Sequence, residues 1–240
     1  MVTSPTFDPQ MLTIGKQRSA VLTALSNDSL RPLFNRAVQA KYPPGSVFKP
    51  MLGAIALQMG VWDKQNYVYC GGGYRYGNRI LKCHGPSPRN MSEAIEHSCN
   101  AYFCTLYRAM VDQYGFRNPR QGLDSLNQYI YRFGMGAQLG LDFPYENKGY
   151  IPTPKLYDKI YKKDGFWYST YFVSNGIGQG ENQMTTIQMA NLAVILANRG
   201  WYITPHLIKG YKDSTYQKTF KLLDRKHIQK LSTGVDARAF

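Results

Sequence analysis

Ser46 and Lys49 stand three residues apart in "YPPGSVFKPM" (residues 42–51), a serine just ahead of a lysine where an apolar run begins. On a helix, positions i and i+3 share a face, so the amine can reach the hydroxyl. Pro43, Pro44 and Gly45 are excluded from a helix interior, which predicts a helix starting near Ser46; Pro50 is tolerated in a first turn. A hydroxyl in that place meets free backbone N–H groups and the positive end of the helix dipole, both favourable to a developing anion. From Phe48 to Met59 the residues are apolar all round, so the helix should be buried on every side and the Lys49 ammonium partly desolvated. Burial lowers a lysine's pKa and makes it a usable base toward a serine nucleophile. Chance alone supplies about one S-x-x-K in a chain this basic, so the setting carries the reading more than the spacing does.

"HSCNAYF" supplies a second pair, Ser98 and Asn100, at a break between two helical pieces. If the break is extended, residues two apart point the same way. A hydroxyl there can relay a proton and an amide can hold a substrate amide or the lysine. Ser125 and Asn127 in "DSLNQ" have the same spacing, but inside a regular helix their side chains diverge, so Ser98 is the better candidate. In "SNGIGQGENQMTTIQMAN", Gly176, Gly178 and Gly180 permit tight or left-handed backbone around Gln179 and Glu181. A lone glycine cluster is more often the turn into a helix than a site.

The elements that must hold these groups are mostly helical. "NMSEAIEHSCNAYFCTLYRAM" predicts two helices, the first opened by Ser92. Leu123, Leu126, Ile130 and Phe133 form the stripe of an amphipathic surface helix ended by Gly134. "TTIQMANLAVILANRG" predicts a helix with a threonine cap and Gly200 at its exit, followed by a strand in "WYITPHLIKGY". "YENKGYIPTPKLYDKIYKKDG" is basic, aromatic and rich in turn residues, which predicts an exposed excursion. With strands near the two ends and no internal repeat, the 240 residues read as one α+β domain.

Composition narrows the partners. The net charge of +14 suits an anionic membrane surface, an acidic polymer or nucleic acid, or simply a lysine-rich solvated surface. No zinc-finger spacing or RNP-like aromatic signature accompanies it, so nucleic acid is not expected. The longest apolar stretch, residues 51–62, falls short of the roughly 18 residues a membrane span needs, and no signal peptide is visible. The strand-like opening "MV" running straight into turn residues suggests a piece of a longer protein. Cys70, Cys83, Cys99 and Cys104 are too few for a disulfide scaffold. Cys70 and Cys83 flank a glycine-rich hairpin; they read as unpaired thiols, as a disulfide, or with His84 as a minor metal-site hypothesis, the spacing matching no standard zinc pattern.

"PPGSVFKP", "EAIEHSCNAYF" and "GIGQGENQMTTIQMANLAVILANRG", in that order, resemble the transpeptidase domain of class B penicillin-binding proteins, closest to the elongation type. "VTSPTFDP", resembling the first strand and its exit, and "RFGMGAQLGLDFP" extend the resemblance over almost the whole chain. It implies the penicillin-binding protein/serine β-lactamase-like fold, helices around an antiparallel sheet, and no cofactor or metal. Ser46 would attack the carbonyl between the two terminal D-alanines of a peptidoglycan stem peptide. Lys49 would act as base, Ser98 would pass a proton to the departing nitrogen, and Asn100 would orient substrate and lysine. The Ser46 N–H would supply half of an oxyanion hole. β-Lactams would acylate the same serine, and a glycosyltransferase of the elongation complex would be the partner. The full-length protein would be membrane-anchored, on the periplasmic face of the inner membrane.

The family's third motif, Lys-Ser/Thr-Gly on a strand lining the site, is not matched. "KLSTG" (residues 230–234) has no lysine directly before Thr233-Gly234, and reads as coincidence. Residues 1–240 are therefore expected to be a partial transpeptidase domain, its C-terminal sheet strands, N-terminal anchor and pedestal missing. Losing central strands should leave a buried face uncovered. Two other readings compete. A class D β-lactamase or β-lactam sensor also uses S-x-F-K, but "YGN" at residues 76–78 precedes "SCN" here, the reverse of that family's order. A non-catalytic scaffold of the same fold would explain the missing third motif.

Overall fold

The computed structural model describes residues 3–13, 15–85, 87–213, 218–220 and 227–240. In chain order its elements are α1 (Arg18–Asn27), β1 (Lys41–Tyr42), α2 (Lys49–Gln58), β2 (Val68–Cys70), β3 (Gly73–Tyr76), β4 (Arg79–Lys82) and β5 (Ser87–Arg89). There follow α3 (Met91–Glu96), α4 (Asn100–Val111), α5 (Pro119–Arg132), α6 (Pro154–Ile160), β6 (Met184–Thr185), α7 (Thr186–Ala197), β7 (Trp201–Ile203), β8 (Tyr211–Asp213), β9 (Lys218–Phe220) and β10 (Lys230–Ser232). The α+β class holds, with one difference: the described strands pair antiparallel in five two-stranded ladders, not in one continuous sheet. The ladders are β1–β6, β2–β5, β3–β4, β8–β9 and β7–β10.

α2 and α4 form the centre. α2 buries Met51, Leu52, Ala54, Ile55 and Ala56, as its all-round apolar sequence requires, and Gly53 lets it lie against the Met91 sulfur. α4 buries Ala101, Tyr102, Phe103, Cys104, Leu106, Tyr107, Met110 and Val111. Two glycines set how closely other elements approach it. A Cβ on Gly122 of α5 would lie 1.9 Å from the Val111 carbonyl oxygen, and one on Gly176 would lie 2.6 Å from Tyr107 Cβ. Gly176 is thus required by close packing, while Gly178 and Gly180 do adopt positive φ, 68° and 66°.

Several expected boundaries hold. α5 carries the Leu123, Leu126, Ile130 and Phe133 stripe on its buried face and ends before Gly134 at φ 77°. α7 opens with a reciprocal capping box between Thr185 and Gln188. Others differ. α3 is capped by the Asn90 side chain, which accepts from the Glu93 N–H, and Ser92 lies inside the helix. The segment expected as an exposed excursion instead docks: Ile151 and Tyr157 are buried, and Tyr157 stacks on Phe172 at 4.1 Å. Its aromatic residues, read as surface, are what hold α6 to the core. The predicted C-terminal strand is short, ending at Ile203. Residues 5–8 form no strand; the expected opening pair at Met1 and Val2 lies outside the described residues.

Candidate active site

Gly45, at φ 61°, turns the chain into a short 3-10 helix, Gly45–Phe48, that runs directly into α2. Pro50 sits in the first turn of α2, where its missing N–H costs no hydrogen bond. Ser46 is therefore exposed at the head of the helix while Lys49, one turn on, is 1% exposed. The turn is clasped from outside: the Gly45 N–H donates to the Gly178 carbonyl at 2.8 Å.

The second pair arrives from the break between α3 and α4. Ser98 is left-handed, φ 51°, and Cys99 is extended, so the break is a kink and not the extended link expected. A non-glycine residue in that region is uncommon and costs on the order of 1–2 kcal/mol. The kink turns the Ser98 hydroxyl into the space between Ser46 and Lys49. Ser98 Oγ donates to Ser46 Oγ at 2.8 Å and accepts from Lys49 Nζ at 3.0 Å. The amine also donates to the Ser98 carbonyl (2.7 Å) and to Asn100 Oδ1 (2.7 Å), which accounts for its three protons. Asn100 is fixed at its other end, where Nδ2 donates to the Lys82 carbonyl at 2.7 Å.

All four predicted residues come together, with one change in wiring. The i, i+3 spacing suggested a direct contact between Lys49 and Ser46; the hydrogen bonds of the lysine go instead to Ser98 and Asn100, and the Ser98 hydroxyl bridges the pair. Burial lowers the Lys49 pKa from its ordinary value, opposed by the neighbouring thiols of Cys83, Cys99 and Cys104. Burial also pushes Cys99 and Cys104 up to about 12, so near neutral pH both are uncharged and give the ammonium little support. The rival pair separates as expected of a helix interior: Asn127 is buried and donates to the Pro152 carbonyl. In the glycine loop, Glu181 accepts from Tyr157 and its N–H donates to Asn175, a brace behind the Gly178 clasp.

Sequence reasoning missed three participants. The Lys82 carbonyl is a backbone group and has no residue signature. Phe103 lies under the amine, 5.8 Å from Nζ to the ring centroid, and belongs to an ordinary apolar helix face. Cys99 replaces His84 in the group that could hold a metal ion: the sulfurs of Cys70, Cys83 and Cys99 lie within 4.8 Å of one another. His84 lines a small adjacent cavity with His97, and Cys83 accepts from the Ala101 N–H at 3.2 Å. The segment "KLSTG" lies elsewhere. Thr233 bonds to the Gly200 carbonyl and the Asp236 N–H donates to Gln58, at the end of α2 opposite Ser46.

An exposed serine at a helix head, linked through a second hydroxyl to a buried lysine, in helices packed with short antiparallel ladders, is an arrangement suited to nucleophilic serine chemistry. The chain belongs to the penicillin-binding protein transpeptidase domain family, whose model matches residues 1–235. Among curated relatives, the peptidoglycan D,D-transpeptidase MrdA of Acinetobacter baumannii is 33% identical over 214 residues, covering 87% of this chain and 30% of the relative. The crystal structure of Pseudomonas aeruginosa PBP2 in complex with WCK 5153 matches with a TM-score of 0.72 at 27% identity, covering 100% of this chain and 51% of that one. A chain in a peptidoglycan synthase complex, described for its coordination of polymerization and crosslinking, matches with a TM-score of 0.70 at 28% identity over 87% of this chain and 34% of that one. The resemblance to the elongation type is thus borne out. The chain spans about 30% of the length of the curated relative.

Proposed function

We propose that the protein to which this chain belongs cross-links peptidoglycan stem peptides through an acyl-enzyme at Ser46, and that β-lactams acylate the same oxygen. The observation that carries this is the Ser98 hydroxyl, 2.8 Å from Ser46 Oγ and 3.0 Å from Lys49 Nζ. With Lys49 neutral the chain of bonds reverses direction: Ser46 donates to Ser98 Oγ, and Ser98 donates to the amine lone pair. As Ser46 Oγ attacks the D-alanyl carbonyl, its proton passes to Ser98 and that of Ser98 to Lys49. On collapse, the proton returns from Lys49 through Ser98 to the nitrogen of the departing D-alanine. An amine from a neighbouring stem then takes the acyl group. In a β-lactam the broken bond is the ring amide, so the leaving nitrogen stays tethered and the ester persists. Asn100, fixed by Lys82, holds the lysine and leaves the relay one geometry.

A cell-envelope setting is supported by the curated relatives' names as peptidoglycan D,D-transpeptidases. The reading extends to a protein anchored in the inner membrane that works on the periplasmic face with a glycosyltransferase as partner. No helix among the described residues is long and apolar enough to cross a membrane.

Intact-mass analysis after incubation with a simple penicillin tests the reading. One drug-sized adduct that maps to Ser46 is expected; an unmodified, folded chain would refute acyl transfer by these residues and favour the scaffold alternative. The pH dependence should report the lysine. The base must be unprotonated, and burial lowers its pKa. The acylation rate should therefore rise with pH and level off at a midpoint below 10.5, the ordinary lysine value. A rate flat through the alkaline range, followed by stopped-flow quenching, would remove Lys49 as the base.

A further inference from the structure

Tyr157, Asn175 and Glu181 close a hydrogen-bonded triangle that the proton relay does not include. The Tyr157 hydroxyl accepts from Asn175 Nδ2 at 2.6 Å and donates to Glu181 Oε2 at 3.0 Å. The Glu181 N–H completes it, donating to Asn175 Oδ1 at 3.2 Å. The three residues come from separate places: α6, the 3-10 segment Ser169–Ile177 and the glycine loop that follows. Tyr157 and Asn175 are each 1% exposed. Burial pushes the Tyr157 pKa upward, so the hydroxyl keeps its proton and remains a donor.

Packing does not explain the hydroxyl. The ring lies on Phe172 at 4.1 Å and beside Trp167 at 5.4 Å, contacts a phenylalanine would make equally well. What the hydroxyl adds is a joint between the two ends of residues 175–181. Asn175 is the hub of that turn: its carbonyl accepts from the Gly178 N–H and from Asn182 Nδ2, each at 3.1 Å. Gly180 folds over its amide so closely that a Cβ there would collide with Asn175 Oδ1. Between these fixed ends Gly178 is left-handed and presents its carbonyl to the Gly45 N–H. Among the described residues, that is the one backbone bond another segment makes to the Gly45–Phe48 turn, which carries Ser46.

We propose that Tyr157, Asn175 and Glu181 are positioning residues for the nucleophile. The triangle fixes where the Gly178 carbonyl stands, and through Gly45 it fixes the place of Ser46 Oγ before the carbonyl it attacks. None of the three touches the reacting atoms. The proposal rests on the acyl-transfer reading and adds to it a support outside the Ser46–Ser98–Lys49 relay.

The test is Tyr157→Phe, with Glu181→Ala and Glu181→Gln beside it, in penicillin acylation followed by mass against time at several drug concentrations. Rates are taken per acylatable molecule, so a loss of folded protein lowers the amplitude and leaves the rate constant alone. Tyr157→Phe and Glu181→Ala should slow the limiting first-order step at least tenfold, with the concentration for half-maximal rate within twofold of wild type. Glu181→Gln keeps an acceptor oxygen for the hydroxyl and should return to within threefold of wild type. A wild-type limiting rate in Tyr157→Phe, or a Glu181→Gln as slow as Glu181→Ala, would overturn the positioning role. Glu181 is half-buried, so its two variants decide the matter even where Tyr157→Phe folds poorly. Amide exchange at Gly45 supplies a readout free of the chemistry. It should speed at least tenfold in Tyr157→Phe and Glu181→Ala while the α4 amides hold; unchanged exchange at Gly45 would also overturn the proposal. A wild type that takes no adduct would instead strike the acyl-transfer reading, and exchange at Gly45 would still decide the triangle.

Discussion

Lys49→Met is expected to slow penicillin acylation of Ser46 by about a thousandfold, the scale of a lost general base. Methionine is of similar length and suits the apolar surroundings that bury Lys49, so the pocket keeps its volume. What disappears is the lone pair at the end of the Ser46–Ser98 relay, without which the first proton has no acceptor. Stability responds to two opposing terms. Removing a buried ammonium recovers a desolvation cost of several kcal/mol. Against that, bonds from a charged donor contribute about 1.5–3 kcal/mol each, and three are lost, to the Ser98 carbonyl, Ser98 Oγ and Asn100 Oδ1. The sums are comparable, so the variant should melt within several degrees of wild type and fail in chemistry. Adduct formation followed by mass against time gives the rate, with Ser46→Ala as the blank that never gains mass. A variant acylated at the wild-type rate would show that the proton leaves by another route.

Gly178→Ala should damage fold and site together. The residue is left-handed, φ 68°, and an added Cβ would lie 2.2 Å from the Gly45 carbonyl oxygen and 2.8 Å from its nitrogen. The colliding atoms are backbone, with no rotamer to yield. Left-handed alanine costs about 1–2 kcal/mol, and forced overpacking typically another 1–3 kcal/mol. A loss of about 3 kcal/mol is therefore expected in denaturant unfolding. The chain would relieve the clash by pushing Gly45 outward, and the Gly45–Gly178 hydrogen bond would go with it. Ser46 follows Gly45 directly, and a shift of about 1 Å at a reacting atom costs on the order of a hundredfold in rate. Unchanged unfolding and acylation would mean that the clasp does not set the position of the nucleophile.

The sequence by itself determined helices α2, α3, α4, α5 and α7, though not α1 or α6, and the identity of the candidate site residues. Their determinants are local: Pro43-Pro44-Gly45 ahead of Ser46, the unbroken apolar run that buries α2, the Thr185 cap and the Leu123–Phe133 stripe each act within a few turns of chain. The four residues at the site were legible for the same reason, since each stands beside a helix boundary that its neighbours dictate. Only the tertiary structure decided the wiring. Ser98 lies between Ser46 and Lys49 because a strained φ at the α3–α4 kink points it there, and spacing alone favoured a direct contact. The third sulfur beside Cys70 and Cys83 comes from Cys99, which the hairpin spacing could not reveal. The segment around Tyr157 looked like surface because its charge is local, while the partner that buries it, Phe172, is distant in sequence. Periodicity and capping are short-range and are written in adjacent residues; proton relays, buried aromatic docks and clefts depend on which distant backbones the core brings within a few ångströms, and no local pattern encodes that.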